Sequence, residues 1–195
     1  LSDWSSDVCS SDLCTQTGDY NVSLNQNGCV NFTSPTTTNL YWNVVNRPCS
    51  FTESNGTNLW NGYFYDGTNQ DYPYGTLGTS AWDNISYNWA SSQPVSTVNT
   101  CGNMCDVDNF SSRFRMTYTY PTSFFRFVYS SDDGIRLSSN GGSSWNLVNT
   151  NWGSCATVSS STVAYLSGST DMRLEQQECG GGASISLATC QIGGD

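Results

Sequence analysis

A chain of 195 residues, 36% of them hydrophobic and 13% aromatic, is long enough to bury one core and too short for two comfortable domains. Its 16 acidic residues outnumber 6 basic ones, all arginine, so the surface repels phosphate backbones and nucleic acid is excluded as a partner. The chain has neither histidine nor lysine, which removes histidine-based triads and Schiff-base catalysis, and we therefore expect no enzyme.

Residues 3–13 resemble one reading frame of a short sequencing adapter of the kind left in a metagenomic assembly. We interpret residues 1–13 as derived from that adapter; a polar Ser/Asp linker is the alternative. Without this segment Cys9 is lost and eight cysteines remain, and their even number predicts four disulfides in an oxidising compartment. We therefore expect a secreted, extracellular or cell-surface protein. The eight residues are Cys14, Cys29, Cys49, Cys101, Cys105, Cys155, Cys179 and Cys190.

Residues 14–58 are rich in asparagine and threonine and predict an N-terminal extended arm with short strands. Tyr20, Val22 and Leu24 alternate with polar residues, which is the period of a half-buried strand. The arm has too few apolar residues to fold alone, so we expect it to dock on its own sandwich or on another copy. Docking on another copy is the preferred interpretation, because the strands that follow look complete without the arm.

Residues 59–195 predict an antiparallel all-β sandwich. Short β-prone runs recur about every ten residues, with Gly, Asn, Asp and Pro between them. No segment predicts a helix longer than one turn, and no run of 18 apolar residues could span a membrane. The predicted strands are 60–65, 114–120, 124–129, 135–137, 162–166, 172–176 and 183–187.

Residues 124–137 contain two apolar runs joined by Ser-Asp-Asp-Gly, and this stretch resembles the signature of PA14 domains. Blocks on both sides follow in the order of that family, at residues 60–65, 108–114, 163–168, 172–175 and 180–187. The resemblance covers about 130 residues. It implies a PA14-like β-sandwich of the kind found in adhesins, lectins, toxins and modules attached to glycosidases.

In lectin members of that family, an Asp-Asp pair joined by a cis peptide binds Ca²⁺, which in turn binds sugar hydroxyls. The matching residues are Asp132 and Asp133, so the resemblance implies calcium as a cofactor and glycans as partners. Alternatively, Asp-Asp-Gly simply forms the turn, with its carboxylates accepting backbone N–H groups. A third side-chain ligand would come from a later loop, where Asn146, Asn149 and Asn151 are available.

Two further patterns bear on glycans. Trp145 follows the motif and is the best candidate for a ring that stacks on a sugar, whereas Trp152 and the other aromatic residues are interpreted as core. Gln176 and Gln177 stand where PA14 relatives usually carry an aromatic pair. Five Asn-X-Ser/Thr sequons occur, about as many as composition alone would give, so glycosylation depends on their exposure. They are Asn21, Asn31, Asn55, Asn84 and Asn109.

Two functions from different classes follow. The first is a non-enzymatic extracellular structural protein, a self-assembling subunit of a surface filament or matrix, whose partners are other copies of itself. The second is a calcium-dependent carbohydrate-binding module of an adhesin. A filament subunit should bury its arm, including Tyr20, Val22 and Leu24, in another copy. A lectin should bind metal and sugar together at Asp132, Asp133 and Trp145.

Overall fold

β-Strands make up every regular element of the residues that the computed structural model describes, which are 17–24, 30–39, 51–92, 94 and 108–193. No helix in these residues is long and apolar enough to cross a membrane. The predicted all-β class is therefore confirmed. The strands are β1 (Thr17–Leu24), β2 (Val30–Asn39), β3 (Gly56–Thr57), β4 (Leu59–Asp66), β5 (Tyr72–Ala81), β6 (Asn84–Ala90), β7 (Phe110–Asp132), β8 (Ile135–Ser138), β9 (Val148–Thr150), β10 (Val158–Glu178) and β11 (Ala183–Gly193).

The segment predicted as an arm contains a hairpin. β1 and β2 pair antiparallel in a two-stranded sheet, and Tyr20, Val22 and Leu24 lie in β1 as expected. The register places Val22 opposite Phe32 and Leu24 opposite Val30. The boundary between arm and sandwich, and the role of these residues in assembly, stay predictions.

Residues 51–58 lie against the sandwich. β3 pairs in parallel with Met116 and Thr117 of β7, and Phe51 stacks on Tyr63 with ring centroids 5.2 Å apart. Asn55 Nδ2 donates to Thr117 Oγ1 over 2.9 Å. Contacts with the sandwich thus begin several residues before position 59.

Two long strands hold the sandwich together. The first half of β7 pairs with β4, its second half pairs with β11, and β10 runs antiparallel to β7 along nearly its whole length. One layer has the order β5-β4-β7-β10-β8-β9, and the other places β11 between β6 and β7. Apart from the short β3–β7 contact, every strand pairing among the described residues is antiparallel. The predicted antiparallel β-sandwich is confirmed.

From the sequence, each of these long strands was predicted as two shorter strands, and this prediction was wrong. The predicted strands 114–120 and 124–129 are one strand of 23 residues, and 162–166 and 172–176 belong to one strand of 21 residues. Pro121 and Gly168 were taken as turn signals. Instead the register shifts between Leu166 and Gly168, and Gly168 has φ = 72°. Such a bulge bends paired strands so that they pass from one layer into the other.

One apolar core lies between the layers. Alternation along β7 directs Phe114 and Met116 from its first half, and Phe125 and Phe127 from its second half, into the same cluster. Trp60 is fully buried there, and its Nε1 donates to the carbonyl oxygen of Trp82 over 3.0 Å. The core therefore supports the end of β7 that carries the Asp-Asp pair.

Two glycines of the sandwich should respond differently to alanine. At Gly168 a Cβ would meet no atom within 4 Å. Gly168→Ala should therefore lower the free energy of unfolding by only about 1 kcal/mol, which is the strain of a positive φ at a residue with a side chain. At Gly62 a Cβ would lie 2.9 Å from both the Leu77 Cβ and the Phe114 ring, so Gly62→Ala should cost about 2 to 3 kcal/mol through overpacking. Urea unfolding measures both free energies. Equal losses would contradict this account of the bulge and the core.

Candidate functional site

The Asp-Asp pair lies between β7, which ends at Asp132, and β8, which begins at Ile135. The peptide bond between Asp132 and Asp133 is cis, as the resemblance implies. Asp133 is buried, with 5% of its surface exposed, whereas Asp132 is only partly buried. Asp133 Oδ2 accepts a hydrogen bond from the Cys179 N–H over 2.9 Å. The Asp133 carboxylate therefore caps backbone, and the Asp132 carboxylate lies beside Gly182.

Gln176 and Gln177 fix this turn from β10. Gln176 Nε2 donates to the Asp132 carbonyl oxygen over 2.9 Å, and Gln177 exchanges backbone hydrogen bonds with Asp133 and Gly134. Gln177 Oε1 also accepts the Gly153 N–H over 2.7 Å. Both side chains are buried. The two glutamines therefore give the turn polar contacts that an aromatic pair could not provide.

Gln177→Leu should destabilise the protein by about 1 to 1.5 kcal/mol, because it removes the hydrogen bond that Gln177 Oε1 accepts from the Gly153 N–H. The measurement is urea unfolding. The matched control is Gln191→Leu, at an exposed position of β11, which should change stability by less than about 0.5 kcal/mol. A similar loss in both variants would contradict the role assigned to Gln177.

Glu178 was not predicted as a site residue. It is fully buried at the end of β10, and its Oε1 accepts the Gly180 N–H over 2.7 Å. Its Oε2 is also buried and has no hydrogen-bond partner among the described residues. The only sequence signal was the run of glycines that follows. Gly181 in that run has φ = 98° and donates its N–H to Asp108 Oδ1 over 3.0 Å.

Asp108, Asp132, Asp133 and Glu178 form one group, called the acidic cluster below. Burial raises the pKa of Glu178 to about 7, while the hydrogen bond from Gly180 opposes this shift. The negative charges of Asp133, Asp132 and Asp108 contribute to the same upward shift, so the pKa of about 7 is the net result of all these causes. Burial, followed by the charge of Asp133, also raises the pKa of Asp132. Like charges held this closely disfavour one another, and a cation would relieve the repulsion.

The acidic cluster fits calcium by its donor chemistry. Its members offer only oxygen, which is the donor that Ca²⁺ prefers. Glu178 Oε2 is buried and has no hydrogen-bond partner among the described residues. Within those residues, the group of three potential ligand atoms that lie within 4.8 Å of one another joins Asp133 to the Cys155 and Cys179 sulphurs and does not include Glu178. A sulphur-ligated metal does not fit. Asp133 lies within 4.8 Å of the Cys155 and Cys179 sulphurs, but these form a disulfide and offer no thiolate.

The disulfide joins the loop after β9 to the end of β10, beside the turn. Cys155 and Cys179 are thus paired, as expected. Cys190 is exposed near the end of β11 and carries a free thiol, which does not match the expected pairing. The other cysteines lie outside the described residues, at Cys9, Cys14, Cys29, Cys49, Cys101 and Cys105.

Trp145 does not stand alone as a ring for sugar stacking. Its ring lies 4.1 Å from the Arg136 guanidinium, and the Trp152 ring lies 3.6 Å from the same group. Trp152, which the sequence assigned to the core, is only partly buried. A Cβ on Gly134 would come within 3.1 Å of the Trp152 Cα, so Trp152 borders the Asp-Asp-Gly turn.

The asparagines considered as a third calcium ligand differ in their position relative to the Asp-Asp-Gly turn. Asn146 exchanges hydrogen bonds with Ser139 and closes the turn after β8. Asn151 Nδ2 donates to the carbonyl oxygens of Ala156 and Thr157. The backbone carbonyl oxygen of Asn151 lies beside Gly134, so Asn151 is adjacent to the Asp-Asp-Gly turn.

The sequons differ in accessibility. Asn84 and Asn109 are exposed, and Asn55 is partly buried with its amide donating to Thr117. Asn21 and Asn31 lie in β1 and β2. Asn84 and Asn109 are therefore more accessible than Asn55.

No family model matches the sequence, and no curated protein matches it. Among solved structures, an anti-sigma factor domain-containing protein from Clostridium clariflavum is similar with a TM-score of 0.50 and 17% identity over 68% of this chain. The match covers 42% of that protein, so the chain spans less than half its length. Another anti-sigma factor domain-containing protein has a TM-score of 0.50 and 19% identity, over 69% of this chain and 43% of its own.

Two further structures are similar at lower scores. The PA14 domain of the MpAFP antifreeze protein has a TM-score of 0.44 and 18% identity, over 75% of this chain and 90% of its own. The epithelial adhesin 9 A domain from Candida glabrata, solved with Galb1-3GlcNAc, has a TM-score of 0.45 and 14% identity, over 70% and 83%. The antiparallel strands and the cis Asp132–Asp133 bond at the end of β7 are the features that the sequence motif implies. The chain has a PA14-like fold.

Proposed function

We propose that the protein is an extracellular carbohydrate-binding module whose sugar site is built around a calcium ion in the acidic cluster. The observation that carries the proposal is the buried Oε2 of Glu178, which has no hydrogen-bond partner among the described residues and whose carboxylate is coupled electrostatically to Asp132 and Asp133. A fully buried carboxylate oxygen without a donor is costly unless a cation compensates it. The secreted location rests on the same resemblance and on the Cys155–Cys179 disulfide.

Each residue of the acidic cluster has a distinct role in this proposal. Asp132, Asp133 and Glu178 would bind the ion, and the ion would supply open coordination positions for sugar hydroxyls. Asp133 is oriented by the Cys179 N–H, and Gln176 holds the Asp132 carbonyl, so the turn is rigid before any ligand arrives. Asp108, on the other side of the glycine loop, can accept hydrogen bonds from a sugar.

A panel of immobilised neutral oligosaccharides tests this function. The protein should bind at least one oligosaccharide in millimolar CaCl₂ and release it when EDTA is added. Binding that persists in EDTA would contradict the proposal. So would the failure of every oligosaccharide in the panel to bind while calcium is bound.

Assembly between copies is a second candidate, and one observation favours it. The outer face of β7, β10 and β11 exposes a strip of apolar side chains around Arg126, in which the rings of Phe124 and Tyr165 lie 5.1 Å apart. Val163 and Tyr165 are opposite Arg126 and Phe124 in the register of β10 and β7. Exposed apolar patches of this kind mark contact surfaces. The strip consists of Phe124, Val128, Val163, Tyr165 and Ile192.

Light scattering after size-exclusion chromatography tests assembly. A chain that assembles should form large particles, and Val163→Ser combined with Tyr165→Ser should give a monomer. Deletion of residues 14–34 should also give a folded monomer if the arm joins copies. A wild-type chain that stays monomeric at high concentration would exclude assembly.

A further inference from the structure

Four arginines converge on the outer face of the layer formed by β4, β7, β10 and β8. Glu175 of β10 lies opposite Arg113 of β7 on one side and opposite Arg136 of β8 on the other. Arg173, two residues earlier, lies opposite Arg115. The neighbouring residues of the same strands, such as Phe114 and Leu174, are buried in the core, so the arginines lie on the opposite face.

The arginines are ordered by two carboxylates. Glu175 Oε1 accepts from Arg113 Nε over 2.6 Å and from Arg173 Nε over 2.7 Å, and its Oε2 accepts from Arg136 Nε over 2.6 Å. Glu53 binds Arg113 and Arg115 over 2.5 and 3.1 Å. Each arginine therefore has a fixed position on a rigid sheet, as a binding site requires.

The charges of this group, called the arginine cluster below, do not cancel. Within the described residues it contains four arginines and two glutamates, and Asp171, two residues before Arg173 on the same face of β10, adds a third carboxylate next to it. This leaves an excess of one positive charge in a chain whose net charge is −10. The four arginine side chains are 13% to 28% exposed, so water screens them only in part. A network that served stability alone would need no such excess, because like charges that are partly shielded from water repel one another.

Aromatic rings surround the arginine cluster. The Arg136 guanidinium lies between the rings of Trp145 and Trp152, and Arg173 lies 5.5 Å from the Trp145 ring. Both rings are partly exposed, and flat rings beside cations suit a ring-shaped ligand that carries negative charge. Trp152 also borders Gly134, so the arginine cluster and the Asp-Asp turn adjoin the same loop.

We propose that the arginine cluster, with Trp145 and Trp152, binds the anionic groups of an acidic glycan, either uronate carboxylates or sulfate esters. Arginine recognises both groups because its planar guanidinium pairs with two oxygens at once. This site is separate from the proposed calcium site and needs no metal. Acidic glycans are the occupants that fit, because the rings supply a sugar-binding surface and the arginines supply the charge.

The test is calorimetric titration of the full chain in EDTA and low salt with three probes, an oligogalacturonide, a sulfated oligosaccharide and a neutral galacto-oligosaccharide. The oligogalacturonide or the sulfated oligosaccharide should bind at least about tenfold more tightly than the neutral galacto-oligosaccharide. Added salt should weaken the binding of the anionic probe. The comparison between the first two identifies the anionic group. Because calcium is absent, a failure of the calcium proposal leaves this result unaffected.

Arg115→Gln and Arg173→Gln should each weaken the binding of the anionic probe about tenfold, since each substitution removes one positive charge from the arginine cluster. Arg126→Gln is the matched control, because Arg126 is exposed on β7 outside the arginine cluster, and it should change binding less than about twofold. Should an Arg173 variant fail to fold, Arg115→Gln decides, since Arg115 contacts only the partly exposed Glu53 among the ion pairs. Equal binding of acidic and neutral probes, or an equal loss in Arg126→Gln and Arg115→Gln, would overturn the proposal.

Discussion

Asp133→Asn should lower the calcium affinity of the chain by about 100-fold or more. The loss of one unit charge in contact with a divalent ion is worth about 3 kcal/mol even at the dielectric constant of water. The asparagine oxygen can still accept the Cys179 N–H, so the turn should keep its shape. Isothermal titration with CaCl₂ measures the affinity, and glycan binding should be lost in parallel.

The control for this substitution is Asp83→Asn, which removes one negative charge at an exposed position outside the acidic cluster. It should leave calcium affinity nearly unchanged. Glu178→Gln should weaken calcium binding as well, because it removes the charge of a buried carboxylate whose Oε2 has no hydrogen-bond partner among the described residues. If Asp133→Asn and Glu178→Gln bound calcium as tightly as the wild type, the acidic cluster would not be the metal site.

Glu175→Gln should destabilise the protein by about 3 to 5 kcal/mol. Glu175 is fully buried and accepts hydrogen bonds from Arg113, Arg136 and Arg173. Its neutral replacement would leave three partly buried guanidinium groups without their shared counter-charge. The loss is measured as the free energy of unfolding in urea, with circular dichroism as the signal.

Glu53→Gln provides the comparison, because Glu53 is partly exposed and binds only Arg113 and Arg115 among the arginines of the cluster. Its replacement should cost about 2 kcal/mol or less. A small loss in Glu175→Gln, equal to that in Glu53→Gln, would show that Glu175 does not organise the arginine cluster.

Strands could be predicted wherever apolar alternation was local. Phe114 and Met116 alternate with Arg113 and Arg115, and this pattern alone indicates one buried and one polar face. The continuity of β10 could not be predicted, because a glycine at position 168 is compatible both with a turn that ends a strand and with a bulge inside one. Only the pairing of β10 with β7 distinguishes the two.

The candidate site was predictable only where its residues are adjacent in sequence. Asp132 and Asp133 form a motif, whereas Asp108 and Glu178 reach the same place through the ends of separate strands. The bond from Gly181 to Asp108 spans 73 residues, and no sequence period relates such positions. The arginine cluster was missed for the same reason, since the register of β7, β8 and β10 brings its members together.

A crystal structure of the protein grown with calcium chloride tests the central claim most directly. One calcium ion should lie about 2.3 to 2.6 Å from carboxylate oxygens of both Asp132 and Asp133, with Glu178 beside it. Anomalous scattering from a substituted lanthanide would identify the ion without ambiguity. An acidic cluster that stays without a cation at millimolar calcium, with the Asp132 carboxylate bonded only to protein groups, would contradict the claim.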